Sequence, residues 1–309
     1  MSSAPQPRSS GKIEPVWLDA MPWVFVALWS TGFIGAKWGL PYAEPFTFLA
    51  IRFAIAAILF GLIAILSGAR WPPTISEFRH AAVVGILLNG TYLGGVFWAI
   101  DRGTPASIAA IVVGTQPLLT AALARPFLGE RLNRMQWAGL LLGFVGLVLV
   151  VWKGREAGVN TGPLSGIVAT VFALVGITLG TFYQKRFGGV NDLRTASCIQ
   201  QASACGVLTI LAFAFETRDI QWTGDFFFAL VWLVIVLSIG TFSLYYLLIR
   251  RGAVSRVASL FYLVPPVVAI DAWFLFGELL TGRQLFGMAL AAFGVFLVTQ
   301  AATHVPEKT

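Results

Sequence analysis

Segment 129–150, GERLNRMQWAGLLLGFVGLVLV, and segment 277–298, GELLTGRQLFGMALAAFGVFLV, agree at nine of 22 positions when the chain is shifted by 148 residues. Shared apolar composition alone would give roughly two matches. The same shift pairs Gly32 with Gly180, Lys37 with Lys185, Arg102 with Arg250, Ser107 with Ser255 and Pro117 with Pro265. The chain is therefore two copies of one unit. A window of about 19 residues places ten apolar spans near 20–40, 45–66, 80–100, 104–125, 133–152, 162–183, 194–215, 226–249, 255–277 and 283–302. Each is close to the roughly 20 residues that cross a bilayer as a helix. Five spans per copy is an odd number, so the second copy must enter the membrane upside down relative to the first. The expected fold is an all-α polytopic membrane protein, with ten transmembrane helices as two inverted five-helix repeats around a central cavity.

Composition excludes the alternatives. Of 309 residues, 57% are hydrophobic and 11% charged, against about 25% charged in water-soluble chains. Cys198 and Cys205 lie on one helical run, about 10 Å apart along its axis, too far to bridge. His80 and His304 are remote from each other, so neither a metal nor another cofactor is expected. The excess of Lys and Arg forms no basic stripe, so nucleic acid is not an expected partner; the expected partners are a small-molecule solute and the lipid bilayer. Loop cations divide fourteen to five in favour of the side carrying the N-terminus, which places both termini in the cytoplasm of a multi-pass inner (plasma) membrane protein. The expected units are an uncleaved polar tail at 1–19, repeats at 20–152 and 162–302, and a cytoplasmic tail at 303–309.

Motifs that recur in both halves carry a likeness. Trp29-Ser30-Thr31-Gly32-Phe33 lies in the first span, a proline interrupts the fourth and ninth (Pro117, Pro265), and Leu128-Gly129-Glu130 and Phe276-Gly277-Glu278 close them. In these features the chain resembles the EamA-type transporters of the drug/metabolite transporter superfamily, over nearly its whole length. The resemblance implies ten helices, cytoplasmic termini, a central cavity between the halves, and export of amino acids or related metabolites without nucleotide hydrolysis.

Polar groups inside the spans are the candidate site, because they are costly in hydrocarbon. Arg52 stands about eight residues into the second span, in the otherwise apolar run 48–60; it reads as a partner for a solute carboxylate or as a tether to a neighbouring helix. Asp271 is the carboxylate well inside a span and the candidate for proton coupling, with a structural bond as the alternative. Helical spacing puts Asn89, Tyr92 and Val96 on one face with Trp98 nearby, and Ser238, Thr241 and Tyr245 on another. Gln116 precedes Pro117, and Ser259 and Tyr262 precede Pro265 and Pro266, where each break frees backbone groups for a solute, side chain or water. With Trp29 from the shared motif, these residues suit an amphipathic metabolite, its apolar part stacked and its polar end hydrogen-bonded. Tyr and Trp are also interfacial belt residues, the reading taken for Trp17, Trp23, Trp71, Trp152 and Trp222. The small-residue stripes Gly139, Gly143, Gly146 and Gly287, Ala291, Gly294 invite close helix packing, within the chain or in a homodimer.

The expected function is that of a secondary transporter, not an enzyme, exporting a small amphipathic metabolite by alternating access. The rivals are an integral-membrane enzyme acting on lipid, which would need a cluster of acids or histidines at an interface, and a non-transporting membrane subunit. Cysteines placed singly in 129–132 and 279–281, in a chain whose Cys198 and Cys205 are replaced by serine, should react with an impermeant thiol reagent from opposite sides of the membrane. Reaction from one side would refute the inversion.

Overall fold

The computed structural model describes residues 17–104, 106–151, 163–188, 192–276 and 281–300. Both tails, Trp152, Lys153, Arg155 and the Gly277-Glu278 pair lie outside the described residues, as do the side chains of Trp17, Phe33, Lys37 and Ser107. The described residues form ten helical rods and no strand: α1 (Trp17–Gly39), α2 (Pro45–Leu66), α3 (Ile75–Asp101), α4 (Ala106–Val113 continued by Gln116–Leu128), α5 (Arg134–Val151), α6 (Leu164–Phe187), α7 (Leu193–Phe215), α8 (Gly224–Arg251), α9 (Val254–Ser259, Leu260–Leu263 and Val264–Phe276) and α10 (Gly282–Gln300). Eight of them are long and apolar enough to cross a membrane. They alternate in direction, so one end of the bundle, here the near end, carries the start of α1 and the α2–α3, α4–α5, α6–α7 and α8–α9 loops. The opposite end is the far end.

The rods begin where the sequence supplies caps. Pro45 opens α2, where a missing N–H costs nothing. Glu216, from the end of α7, accepts from Phe46 N and Thr47 N at 2.7 Å each, filling the orphan donors of that first turn. Thr74 caps α3 by accepting from Glu77 N at 3.2 Å. That cap starts α3 at Ile75 rather than near residue 80: the polar first turns of a capped helix are invisible to a hydropathy window.

Two pairs of rods hold the halves together. Gly139, Gly143 and Gly146 of α5 meet Gly294, Ala291 and Gly287 of α10 so closely that a Cβ on Gly146 would stand 2.5 Å from Ala291 N, and one on Gly139 would stand 2.6 Å from Gly294 O. The small-residue stripes thus close on each other within the chain. Their order is reversed along the two rods, so the last helices of the two copies run antiparallel. In the second pair, α2 and α7, Thr47 meets Glu216 at the far end and Ala57 O accepts from Cys198 Sγ in the middle. Arg70 O accepts from Thr195 Oγ1 at the near end, so these equivalent helices are antiparallel too. The remaining rods obey the same exchange: α1 leans on α8 and α9, and its counterpart α6 leans on α3 and α4. This is the inverted repeat in physical form.

The irregularities are repeated as well. A π-helical stretch, with hydrogen bonds from i to i+5, occupies Ile86–Thr91 of α3 and Leu233–Thr241 of α8, and the 148-residue shift carries one into the other. The breaks at Gly114-Thr115 in α4 and at Leu260–Leu263 in α9 precede Pro117 and Pro265, each of which lacks a donor for the preceding turn. The π turns correct the facing expected from regular helical spacing. Thr241 Oγ1 bonds Val236 O, five residues back, while Ser238 accepts from Arg52 and Tyr245 shares a hydrogen bond with Thr181. These three residues point to different neighbours, because a wider turn rotates everything beyond it.

Replacing Gly146 or Gly139 with Leu should lower the midpoint of thermal unfolding in detergent by several degrees, as expected for about 1–3 kcal/mol of overpacking. Gly206→Ala in α7, where a Cβ meets nothing within 4 Å, should be neutral or slightly stabilising.

Candidate functional site

Two small cavities meet at the middle of the bundle. One, of about 60 Å³, lies among α1, α3, α4 and α9 against Val113, Gln116, Phe261 and Pro265. The other, of about 70 Å³, lies among α1, α2, α3 and α8 against Gly32, Leu40, Arg52, Leu237 and Phe242. Trp29, Tyr92, Val96 and Ile100 wall both. Each has room for about two waters.

The first-span motif explains this placement residue by residue. Trp29 enters both cavities; Ser30 Oγ reaches Val26 O at 2.8 Å and Val264 O of α9 at 3.4 Å; Thr31 Oγ1 accepts from Trp232 Nε1 of α8 at 3.2 Å; and Gly32 admits the Leu237 side chain. On its near side Trp29 rests on an aromatic floor. Its ring lies 5.0 Å from Phe261 edge-on, 5.2 Å from Phe242 and 5.3 Å from Phe25. Tyr245 stacks on Phe25 and shares a 2.6 Å hydrogen bond with Thr181 Oγ1 of α6.

Arg52 is 2% exposed. Its Nε donates to Ser238 Oγ at 3.0 Å, and its guanidinium stands 5.2 Å from the Phe53 ring. The ion pairs among the described residues, Arg102–Asp101 and Arg194–Asp192, leave it without a carboxylate. Arg52 thus tethers α2 to the π turn of α8 and stands in the wall of the cavity. Gln116 lines the other cavity; its Nε2 donates to Thr120 Oγ1 at 3.0 Å, and its buried Oε1 has no partner.

The remaining expected residues divide. Tyr92 is at the centre. Asn89, one turn earlier, is not among the cavity walls: the π turn swings it to the Tyr246 hydroxyl, beside which its amide lies without closing a hydrogen bond of regular geometry. Trp98 faces away, against Phe46, Gly94 and Phe172, with Arg102 over its ring at 5.3 Å. Tyr245 belongs to the floor. Ser259 is spent on its own helix, donating to Arg256 O at 2.8 Å. Tyr262 packs its ring on Gly143 of α5. Pro266 is buried behind Pro265, and Pro117 begins the second piece of α4. Asp271 lines neither cavity, and its Oδ2 is buried without a partner. Trp23, Trp71 and Trp222 are exposed on the outside of the bundle, where belt residues stand. Sequence reasoning missed Phe261, Phe242 and Ile100, apolar residues that nothing distinguishes from core until the rods are assembled.

At the near end a polar clasp ties the rods together. Glu130, which follows the left-handed Gly129 at the end of α4, accepts from Val254 N at 3.0 Å and Ser255 Oγ at 3.2 Å, capping the start of α9. Lys185 of α6 donates to Ile249 O at 2.9 Å and Gly252 O at 2.8 Å, capping the end of α8. The Gly-Glu motif and one of the paired lysines therefore join α4 and α6 to the α8–α9 hairpin. Beside them Arg250 donates to Gly188 O. The Arg194 guanidinium, hydrogen-bonded at 2.7 Å, holds the Asp192 carboxyl below its ordinary range although burial opposes this.

The model of the EamA-like transporter family matches residues 20–152 and again 164–300. An inner membrane transporter of Escherichia coli (strain K12), YedA, itself uncharacterised, is 27% identical over 282 residues, 91% of this chain and 90% of that protein. A protein of Salmonella typhimurium named a probable amino-acid metabolite efflux pump is 27% identical over 285 residues, 88% of this chain and 91% of that one. A crystal structure superposes with a TM-score of 0.79 at 21% identity, covering 95% of this chain and 100% of the other; it shares the fold.

Glu130→Ala and Lys185→Met should each cost about 1–3 kcal/mol in thermal unfolding, because partly buried caps lose charge-assisted hydrogen bonds. Arg102→Met, which breaks an exposed pair at 4.0 Å, should cost under about 1 kcal/mol.

Proposed function

This chain belongs to the EamA-like transporter family, and from that premise we propose that it is a secondary carrier exporting a small amphipathic metabolite, an amino acid or a close relative of one. Export runs across the inner membrane by alternating access, with the near end and both termini in the cytoplasm. The observation that carries this reading is the position of Arg52 and Gln116 in two cavities that share the walls Trp29 and Tyr92, at the seam between inverted halves. A guanidinium with no carboxylate partner suits a solute carboxylate. An unpartnered amide oxygen accepts from an ammonium group, and the rings between them stack on an apolar body. The cations of the near-end loops favour a cytoplasmic position for that end, and a relative named a probable amino-acid metabolite efflux pump agrees in class and direction.

Alternating access follows from the fold's symmetry. Two copies with opposite orientation can exchange conformations, which moves the opening from one side to the other without a separate gate domain. The near end is clasped by Glu130 and Lys185, and the cavities lie on the far side of the aromatic floor. Asp271, off both cavities, is not positioned to exchange its proton against solute in this conformation.

The test is counterflow in proteoliposomes, with a panel of labelled aromatic and aliphatic amino acids and their metabolites. Exchange of at least one is expected. Tyr92→Leu should weaken its half-saturation about tenfold, roughly 1.4 kcal/mol, while Tyr262→Phe should leave it unchanged and Asp271→Asn should keep the parent's pH dependence. Product formation would make the chain an enzyme, and neither flux nor product would make it a non-transporting subunit.

A further inference from the structure

The 148-residue shift can be applied to the walls of the Arg52 cavity. Arg52 maps to Gln200, Gly32 to Gly180, Phe97 to Tyr245, Leu237 to Asn89 and Leu233 to Gly85. These counterparts also come together, on the near side of the aromatic floor between α3, α6, α7 and α8. There the space is shut. Gly85 lies so close to the Gln200 backbone that a Cβ would collide with its carbonyl, Gly180 abuts Leu88, and Tyr245 is bonded across to Thr181.

This shut region is not apolar. Asn89, Gln200 and Gln184 are each no more than 1% exposed. Gln200 Nε2 donates to Gln184 Oε1 at 3.1 Å. Beyond that bond, Gln200 Oε1 and Gln184 Nε2 have no partner, and the Asn89 amide meets only the Tyr246 hydroxyl, without a hydrogen bond of regular geometry. A buried polar group left unpaired costs about 1–3 kcal/mol, and helix packing alone would be served better by Ala or Leu. The cost is tolerable where another conformation of the molecule brings the same groups to water and solute.

We propose that Asn89, Gln184 and Gln200 line the near-side lobe of the translocation route, the pseudo-twofold counterpart of the Arg52 cavity, collapsed in this conformation and open in the alternate one. This rests on the transport reading. It gives the carrier two chemically unlike lobes: the far one holds a guanidinium, and the near one holds neutral amide donors and acceptors. A solute carboxylate is met by hydrogen bonds on the near side and by a full charge on the far side.

The test needs no knowledge of the solute. In a background of Cys198→Ser and Cys205→Ser, the variants Asn89→Cys, Gln200→Cys and Ala56→Cys are reconstituted and exposed to methanethiosulfonate ethyltrimethylammonium. Ala56 is buried in the α2 packing and lines neither cavity; Ser67→Cys in the α2–α3 loop reports which side is near. Asn89→Cys and Gln200→Cys should react at least tenfold faster than Ala56→Cys, from the side that labels Ser67→Cys and not from the other. Reaction at the Ala56→Cys rate from both sides, in protein that is monodisperse in detergent, overturns the proposal; either position alone suffices should the other variant fail to fold. Counterflow in vesicles of the Cys198→Ser, Cys205→Ser parent, whose lobe residues are unchanged, separates the two readings. Flux without labelling rejects the near lobe alone, whereas labelling without flux upholds the lobe and rejects carriage.

Discussion

In a bilayer core no water is at hand to satisfy a free N–H or C=O, so every interruption of a helix must be repaired by the chain itself. That requirement organises this molecule. Glu216 repairs the start of α2, Glu130 the start of α9 and Lys185 the end of α8. All three act from another rod. A repair that crosses between rods is also a bond between them, so the charges that make the helix ends tolerable set how the bundle is tied. The near-end clasp is the clearest case. It is made of helix caps, yet it joins α4 and α6 to the hairpin of α8 and α9.

The second constraint is that lipid gives apolar helices no hydrophobic reason to associate, so contact must come from close approach. Glycine and alanine stripes provide it at α5 and α10, and the antiparallel match of these equivalent helices secures the inverted symmetry. The α5–α10 and α2–α7 pairs form the frame, but α2 also turns Arg52 into the cavity it shares with α1, α3 and α8, and α4 and α9 complete the second cavity. Of the lining rods, α3 and α8 carry the π turns and α4 and α9 the proline breaks. The regular pairs serve mainly as frame and the irregular rods supply most of the lining, and Arg52 and its matched Gln200 stand in unlike surroundings because the two copies have kept their fold while diverging at most of the matched walls, Gly32 and Gly180 excepted.

Much of this is legible in the residues. The offset of 148 residues, the ten spans and the facing stripes Gly139, Gly143, Gly146 and Gly287, Ala291, Gly294 are local or periodic features, and hydropathy and spacing report them directly. The cavity was legible in part. Trp29, Arg52, Tyr92 and Gln116 were found because polar or aromatic groups deep in apolar runs are conspicuous. Trp98, Ser259 and Tyr262 were conspicuous for the same reason and lie elsewhere, since burial in a span does not say which neighbour a side chain meets. Asn89 shows why spacing failed. The count of 3.6 residues per turn does not hold through Ile86–Thr91, and nothing in ILLNGT marks the wider turn.

What the chain's residues determined by themselves is membrane residence, helix number and the inverted duplication, because these depend on length, hydropathy and self-similarity along one dimension. What only the tertiary structure decided is which faces enclose the passage, which caps become ties, and that the counterpart of Arg52 lies in a closed pocket of amides. Those outcomes depend on rotations accumulated through π turns and proline breaks and on contacts between residues more than a hundred positions apart, neither of which a one-dimensional period records.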